Sequence, residues 1–257
     1  MISTVNSDLL LTVKDLKVHF ELSHIQYRGV RDLFVGALTH PLDFFFKEKE
    51  LFYVLNGISF EIRKGMRLGI MGVNGSGKTT LMRCLAGMMK PEAGEIKTQA
   101  EVRAIFDTGT GVMPELTGRE NAYLLARLFF PELKDLRFIV EEAVTFSELG
   151  HFIDIPFNQY SKGMQSRLLL SLISSRTTDV LILDEVFDGA DVFFQKKLAQ
   201  RMKNFITQAG ASLFVSHSFE QIREVCTQVM VLDKGKIIYL GDVEQGILEY
   251  QNRPHNQ

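Results

Sequence analysis

A short glycine-rich run constrains the fold of this chain more than any other feature of the sequence. The pattern G-x-x-x-x-G-K-[S/T] is matched at every fixed position by Gly72-Val73-Asn74-Gly75-Ser76-Gly77-Lys78-Thr79. A strand pattern ends just before the run, at Met71, and a helical pattern opens after it. Glycines allow backbone N–H groups to converge on phosphate oxygens, and the start of the following helix adds a favourable dipole. The run therefore predicts a phosphate-binding loop.

Residues of this loop suit particular parts of a bound nucleoside triphosphate. We expect Lys78 to neutralise charge on the β- and γ-phosphates, and the hydroxyl of Thr79 to bind Mg²⁺. The candidate ATP-binding residues of the loop and the helix start are Gly72, Asn74, Gly75, Ser76, Gly77, Lys78, Thr79 and Thr80.

Short β-branched runs alternate with helical stretches along the chain, which predicts an α/β fold. The predicted strands are Leu10–Leu22, Phe52–Ile62, Arg67–Met71, Val102–Phe106, Val180–Leu183, Ser212–Val215, Gln228–Leu232 and Lys236–Leu240. Predicted helices follow Gly77, Thr117, Ser161, Val192 and Ser218, and a last one runs from about Asp242 to Gln251. Thr117 and Glu120 have the spacing of a capping box, which supports a helix start there.

A second motif ends a predicted strand later in the chain. The apolar run Val180–Leu183 is followed directly by Asp184 and Glu185. At the carboxyl end of a buried strand, we expect Asp184 to reach a Mg²⁺ ion beside the phosphate loop. Glu185 would then orient or polarise the attacking water. Many strands end in acidic residues, so this motif alone is weak evidence for a nucleotide site. It becomes specific because a phosphate loop lies upstream.

Two further runs indicate a family. Tyr160-Ser161-Lys162-Gly163-Met164-Gln165 stands at a predicted helix start, and Val215-Ser216-His217-Ser218 ends the next predicted strand. With these runs the sequence resembles the ABC-type ATPases, specifically the ATP-binding subunits of exporters for capsule, O-antigen or teichoic acid. The run Pro114–Asn121 is similar to the form found in that exporter group, and the resemblance extends from about Leu10 to Tyr250.

The resemblance implies a role for the residues at the predicted helix start. In the family, the signature motif of one subunit caps the γ-phosphate held by the other, and Ser161 and Gly163 would do so here. The signature positions of this chain are occupied by Ser161, Lys162, Gly163, Met164 and Gln165.

The resemblance also implies roles outside the signature. His217 is similar to the histidine that contacts the γ-phosphate, so that catalysis would depend on Glu185, His217 and Lys78. Asp191 stands where a family aspartate crosses the dimer interface. Either Phe20 or Tyr53 would stack on adenine, and the sequence leaves that choice open.

The architecture that the resemblance implies has three parts. The core would be a P-loop, RecA-like mixed sheet, with an antiparallel β subdomain and a helical subdomain carrying the signature. One ATP-binding domain would span residues 8–252, with an insert at 24–50, the helical subdomain at about 112–170 and a frayed tail at 253–257. We interpret the insert either as a surface helix packed on the core or as a docking element for a partner.

Two positions depart from the family pattern. Lys162 stands where the signature usually has Gly or Ser, and it would either contact a phosphate or point to solvent. The stretch 105–111 has no glutamine, although the family uses one there. Asp107 or Thr108 would take over its contact with Mg²⁺ or water, or the link is missing.

Composition limits the classes of partner and compartment. With 29 Lys and Arg against 31 Asp and Glu, the net charge of −2 gives no global attraction to nucleic acid, and none is expected as a partner. Two cysteines favour a reducing compartment. The start of the chain does not resemble a signal peptide, and no run approaches the length of a membrane span, so we expect a soluble, cytoplasmic chain.

The leading hypothesis is an ATPase that powers export of a polysaccharide or lipid-linked glycan. It would use ATP and Mg²⁺, pair with a second copy of itself, and attach to the cytoplasmic face of the plasma membrane through a separate transmembrane permease. One alternative is an ABC ATPase serving a drug, lipid or peptide transporter. A less favoured one is a soluble ABC ATPase acting on DNA or the ribosome, and the lack of an Asn-Lys-x-Asp motif disfavours a GTPase.

Overall fold

Two β-sheets organise the chain. The computed structural model describes residues 8–22, 50–106, 111–184, 194, 196–201, 210–216 and 218–253. The strands are β1 (Leu9–Leu22), β2 (Glu50–Arg63), β3 (Arg67–Met71), β4 (Ala93–Thr98), β5 (Val102–Ile105), β6 (Val180–Asp184), β7 (Ala211–Val215), β8 (Gln228–Asp233) and β9 (Lys236–Gly241). Six of them form a sheet in the order β5-β6-β7-β3-β8-β9, and the other sheet has the order β2-β1-β4.

The six-stranded sheet is parallel from β5 to β8, and β9 pairs antiparallel with β8. Every residue of β6 and β7 is buried, as expected for central parallel strands covered on both faces. The three-stranded sheet is antiparallel throughout. The predicted α/β fold with a mixed sheet and an antiparallel β part is therefore confirmed.

The strand register brings three motifs to one edge of the large sheet. Val215 of β7 lies opposite Ile70 of β3 on one side and Asp184 of β6 on the other. Because these strands are parallel, the segments that follow them leave from the same edge. Ligands of open α/β sheets bind at this carboxyl edge.

Some of the helices pack on the large sheet, and others form a separate part of the molecule. They are α1 (Lys78–Leu85), α2 (Gly118–Phe129), α3 (Arg137–Ser147), α4 (Lys162–Ile173), α5 (Phe219–Val225) and α6 (Val243–Gln251), with 3₁₀ turns at Gly150–Asp154 and Phe157–Gln159. Residues 196–201 are also helical. The capping box at α2 is confirmed, since Thr117 Oγ1 accepts from the Glu120 N–H and the Glu120 carboxylate accepts from the Thr117 N–H.

The helices α2, α3 and α4 share an apolar core that is separate from the cores around the two sheets. Its buried members include Leu125, Phe130, Val140, Phe157 and Leu168. We call residues 112–173 the helical part. Among the described residues, none of the helices is long and apolar enough to cross a bilayer.

Two elements lie outside the sequence prediction. Strand β4 is an edge strand of mostly exposed residues that pairs with β1, so it has no apolar alternation to detect. Helix α3 begins after Leu136, whose side chain makes no capping hydrogen bond. Neither element carries the local signal on which the other predictions depend.

Candidate nucleotide-binding site

The glycine-rich loop joins β3 to α1 and is packed tightly against β2. Gly77, directly before α1, has a φ of 105°. A Cβ atom at this position would lie 2.6 Å from the carbonyl oxygen of Val54 and 2.8 Å from Leu55 Cδ2. Only glycine combines that backbone angle with so close an approach. The loop conformation therefore requires Gly77.

Lys78 is folded back over the loop rather than extended into solvent. Its Nζ atom donates to the carbonyl oxygen of Gly72 at 2.7 Å and lies 3.3 Å from that of Val73. The side chain is buried, whereas Thr79 is exposed at the same helix start. The loop thus encloses one positive charge and presents a hydroxyl beside it, as the sequence predicts for a phosphate site.

Ser76 supplies a buried hydroxyl inside the same loop. Within the described part of the chain, its Oγ atom has no hydrogen-bond partner. A Cβ atom at Gly72 would lie 2.5 Å from this oxygen, so the backbone of Gly72, which has no side chain, covers the hydroxyl. Leaving a buried hydroxyl without a partner costs about 1–3 kcal/mol. The Ser76 hydroxyl therefore fits a ligand whose oxygen atoms can accept its hydrogen bond.

The hairpin turn between β8 and β9 supports the loop from the side. The Gly235 N–H donates to the carbonyl oxygen of Ser76 at 3.1 Å, and the Gly235 carbonyl accepts from the Asn56 N–H at 2.8 Å. The turn thereby ties the phosphate loop to β2. The sequence predicts the two strands on either side of this turn, but nothing in it connects the turn with the loop, because the contact joins backbone atoms distant along the chain.

Asp184 ends β6 in a buried position at the carboxyl edge of the sheet, as predicted. The described residues contain no group of three or more His, Cys, Asp or Glu side chains that could hold a metal ion. Mg²⁺ in nucleotide sites is commonly bound by one or two protein groups together with the phosphates. Thr79 and Asp184 fit that mode of binding.

Four predicted site residues, Glu185, Asp191, His217 and Asp107, lie outside the described residues, as do Thr108 and most of the 24–50 insert. Their roles stay predictions.

The residues on either side of position 217 are anchored to α5. Ser216 Oγ donates to Gln221 Oε1 at 2.7 Å and accepts from the Ser218 N–H at 3.1 Å. Ser218 in turn caps α5 by accepting from the Gln221 N–H. Ser216 and Ser218 are therefore held at the edge where β3 and β6 also end.

The signature run begins α4 at the exposed end of that helix. Ser161 is its N-cap, with Oγ accepting from the Met164 N–H at 3.2 Å. Gln165 Nε2 donates to the carbonyl oxygen of Tyr160 at 3.4 Å. Lys162 is exposed and Gly163 is half-buried. The run thus presents a helix N-terminus, which favours anions, and Lys162 adds a positive charge to it.

Tyr160 holds this run in position through a contact within the helical part. Its hydroxyl donates to the carbonyl oxygen of Phe152 at 2.6 Å, and burial raises the pKa of Tyr160 to about 12. A Cβ atom at Gly118, the first residue of α2, would lie only 2.0 Å from that hydroxyl oxygen. Gly118 therefore makes the space in which the tyrosine holds the signature run.

The two candidate adenine-stacking residues lie on opposite faces of the small sheet. Phe20 of β1 is paired with Phe52, and the preceding residue His19 is paired with Tyr53. The rings of His19 and Tyr53 lie 5.4 Å apart. Successive strand residues alternate between faces, and Phe20 and Tyr53 are both about half exposed. At most one of them faces a base bound next to the phosphate loop.

Comparisons with known proteins agree with this geometry. The family model described as ABC transporter matches residues 55–188. The O-antigen export system ATP-binding protein RfbB of Klebsiella pneumoniae is 36% identical over 90% of this chain and 93% of its own length. The teichoic acids export ATP-binding protein TagH of Enterococcus faecalis is 32% identical over 93% of this chain, which spans 53% of that relative.

Solved structures show the same fold at low sequence identity. A dimeric ATP-binding cassette bound to ADP and Pi in a post-hydrolysis state superimposes with a TM-score of 0.73 at 17% identity, covering 91% of this chain and 99% of that one. The ATP-binding subunit of an ABC transporter gives a TM-score of 0.69 at 20% identity, covering 95% of this chain and 94% of that one.

Proposed function

Because the chain belongs to the ABC transporter family, we propose that it is the ATP-hydrolysing subunit of an exporter for a polysaccharide or lipid-linked glycan. The observation that carries the nucleotide part is the closed phosphate loop, with Lys78 folded over it and the Ser76 hydroxyl buried inside. The substrate class is supported by relatives named for O-antigen and teichoic acid export, which align over nine-tenths or more of this chain.

The phosphate loop binds the β- and γ-phosphates of ATP. Lys78 neutralises their charge, and the loop N–H groups together with Ser76 donate to phosphate oxygens. Thr79 and Asp184 would hold Mg²⁺, which supplies further neutralisation of the phosphates. Glu185 orients the attacking water, and His217 contacts the γ-phosphate. Hydrolysis then depends on positioning and charge neutralisation more than on covalent chemistry.

The complete site is built by two copies of the chain. Ser161 and Gly163 belong to the helical part, whose core is separate from that of the sheet bearing the phosphate loop. In the proposed dimer, ATP on the loop of one copy is capped by the signature of the other, and Asp191 lies at the interface. ATP binding then draws the copies together and hydrolysis releases them, which converts phosphate chemistry into motion.

The site residues lie within one ATP-binding domain, for which we propose residues 8–252, with the insert at 24–50 and the helical subdomain at about 112–170. In that scheme the insert interrupts the β1–β2 hairpin, since these strands pair along their whole length.

The permease docks on the helical part beside residues 111–114. Met113, Leu124 and Leu128 are large apolar side chains exposed there. The buried Asn121 side chain accepts from the Met113 N–H and donates to the Met113 carbonyl, fixing this segment to α2. Exposed apolar groups held on a rigid support suit a protein interface. Docking would keep the chain at the cytoplasmic face of the plasma membrane.

The test of the export function uses cells in which this chain is replaced by its Lys78→Ala variant. We expect loss of the surface glycan together with accumulation of the completed glycan inside the cell, because the motor no longer binds ATP productively. Purified Lys78→Ala protein should also lose ATPase activity. If the purified variant has no ATPase activity but the cells keep their surface glycan, the glycan assignment is wrong and the ATPase assignment stands.

A further inference from the structure

The two ends of the signature helix α4 are held very differently. At the N-terminal end, Ser161, Gln165 and Tyr160 make hydrogen bonds to nearby residues of the helical part. At the C-terminal end, Leu170 and Ile173 belong to the same buried apolar cluster as Leu181 and Leu183 of β6. The C-terminal end is thus where the signature helix joins the sheet.

Arg201 fastens this end from outside the helical part. Its Nε atom donates to the carbonyl oxygen of Ser174, the C-cap of α4, at 2.9 Å. Its other two nitrogens form a forked pair with Glu142 of α3 at 2.7 and 2.9 Å. The guanidinium also lies 4.2 Å from the ring centre of Phe146, and the side chain is only 15% exposed. A cation at a helix C-terminus is favoured by the helix dipole.

Further cations from the sheet side act at the same junction. Arg103 of β5 donates to the carbonyl oxygen of Arg176 at 3.1 Å and lies over the ring of Phe130 at 4.4 Å. Lys197 lies 4.4 Å from the Phe146 ring centre and donates to the Phe146 carbonyl at 2.9 Å. The junction is therefore held by cations that donate to carbonyl oxygens and lie on aromatic rings.

We propose that Arg201 is a positioning residue that fixes the C-terminal end of α4 as the pivot of the helical part. This inference builds on the proposed two-copy site. The helix has 12 residues, about 18 Å of length. A rotation of about 10° at the pivot moves its N-terminal end by about 3 Å on this length. That displacement equals a hydrogen-bond length, so it decides whether Ser161 reaches a phosphate on the partner copy.

The test compares two arginine variants. Arg201→Met keeps an apolar side chain but removes the guanidinium group, and with it the contacts to Ser174, Glu142 and Phe146. Arg119→Met is the matched control, because Arg119 pairs with Asp154 at 2.9 Å and Glu141 at 2.7 Å, both within the helical part. Both variants lose an arginine with two or more polar contacts, but only Arg201→Met affects the junction with the sheet.

The first measurement is a distance that needs neither nucleotide nor partner. Spin labels at Gln159→Cys and Lys64→Cys, both exposed positions, report the helical part against the sheet, while native Cys84 and Cys226 are buried. We expect Arg201→Met to widen the distance distribution about twofold relative to the wild type, and Arg119→Met to leave it unchanged. A distribution in Arg201→Met as narrow as in the wild type, or equal widening in both variants, would overturn the proposal.

The second measurement is ATP-driven dimerisation, made in the Glu185→Gln background so that ATP stays bound. We expect Arg201→Met to weaken it about tenfold or more, with ATP affinity of the single copy within about twofold of the wild type. If Arg201→Met does not fold, Arg201→Lys replaces it. Lysine keeps the positive charge but cannot form the forked pair with Glu142, so the spin-label distance distribution should widen by an intermediate amount. If the Glu185→Gln protein with Arg201 intact fails to dimerise with ATP, the two-copy site is wrong, while the label distances still decide the pivot.

Discussion

Replacing Gly118 with alanine tests how the signature run is held. The change adds one methyl group at the first residue of α2, where a more helix-favouring residue would ordinarily stabilise the protein by up to about 1 kcal/mol. Here the new Cβ would lie 2.0 Å from the Tyr160 hydroxyl oxygen, 2.8 Å from Tyr160 Cζ and 3.1 Å from the Ile153 carbonyl oxygen. The tyrosine ring must therefore move by more than about 1 Å, given ordinary contact distances of about 3.5 Å.

The cost of that movement has two components. The 2.6 Å hydrogen bond from the Tyr160 hydroxyl to the Phe152 carbonyl is lost, which removes about 0.5–1.5 kcal/mol. Overpacking of a filled core adds about 1–3 kcal/mol. After the helix gain of about 1 kcal/mol is subtracted, Gly118→Ala should destabilise the protein by about 0.5–3.5 kcal/mol. The melting temperature should fall by several degrees, at about 2–4 °C per kcal/mol for a chain of this size.

Thermal unfolding of four proteins measures this effect. They are the wild type, Gly118→Ala, Tyr160→Phe and the double variant. Removing the hydroxyl takes away the closest contact, so Gly118→Ala should cost at least about 1 kcal/mol less in the Tyr160→Phe background than in the wild type. Equal costs in the two backgrounds, or a Gly118→Ala variant as stable as the wild type, would refute this account of the contact.

Three other predictions follow from the site and its surroundings. Glu185→Gln should retain ATP binding and lose about 100-fold or more in phosphate release, since it removes the charge that orients water; turnover within about twofold of the wild type would remove Glu185 from the mechanism. Burial raises the pKa of the Cys226 thiol to about 12 and that of Cys84 to about 11. Both thiols should stay protonated and inert to Ellman's reagent at pH 8 until the chain is denatured, and rapid reaction of either in the folded protein would contradict the buried packing. Replacing Leu124 and Leu128 with serine should leave ATPase activity intact and reduce co-purification with the permease, whereas undiminished co-purification would move the docking surface elsewhere.

Local patterns were sufficient to predict the elements that carry the chemistry. The phosphate loop, the buried strand before Asp184 and the helix starts at Thr117 and Ser161 each depend on residues close together in sequence. Their glycines, caps and apolar runs determine backbone geometry directly. Local patterns therefore indicated the fold class and the phosphate loop, whereas the roles of Ser161, Asp191 and His217 come from the resemblance to ABC-type ATPases and stay predictions.

Contacts between distant segments could not be predicted in this way. Arg201 and Ser174 are held together by packing of separate elements, and no pattern in either segment marks the pair. The same holds for the space that Gly118 leaves for Tyr160. Phe20 and Tyr53 could not be ranked from sequence, but strand register assigns them to opposite faces.

Sedimentation velocity of the Glu185→Gln protein with Mg-ATP tests the two-copy site most directly. We expect a dimer for this variant, because ATP stays bound between the phosphate loop of one copy and the signature of the other. Adding Ser161→Arg should leave monomers, since a bulky side chain then occupies the place of the γ-phosphate contact. Adding Gln228→Arg at the exposed amino end of β8 introduces the same side chain at the edge of the sheet opposite the phosphate loop and should leave the dimer intact. Dimers of undiminished affinity in the Glu185→Gln, Ser161→Arg protein would show that the signature of one copy does not complete the ATP site of the other.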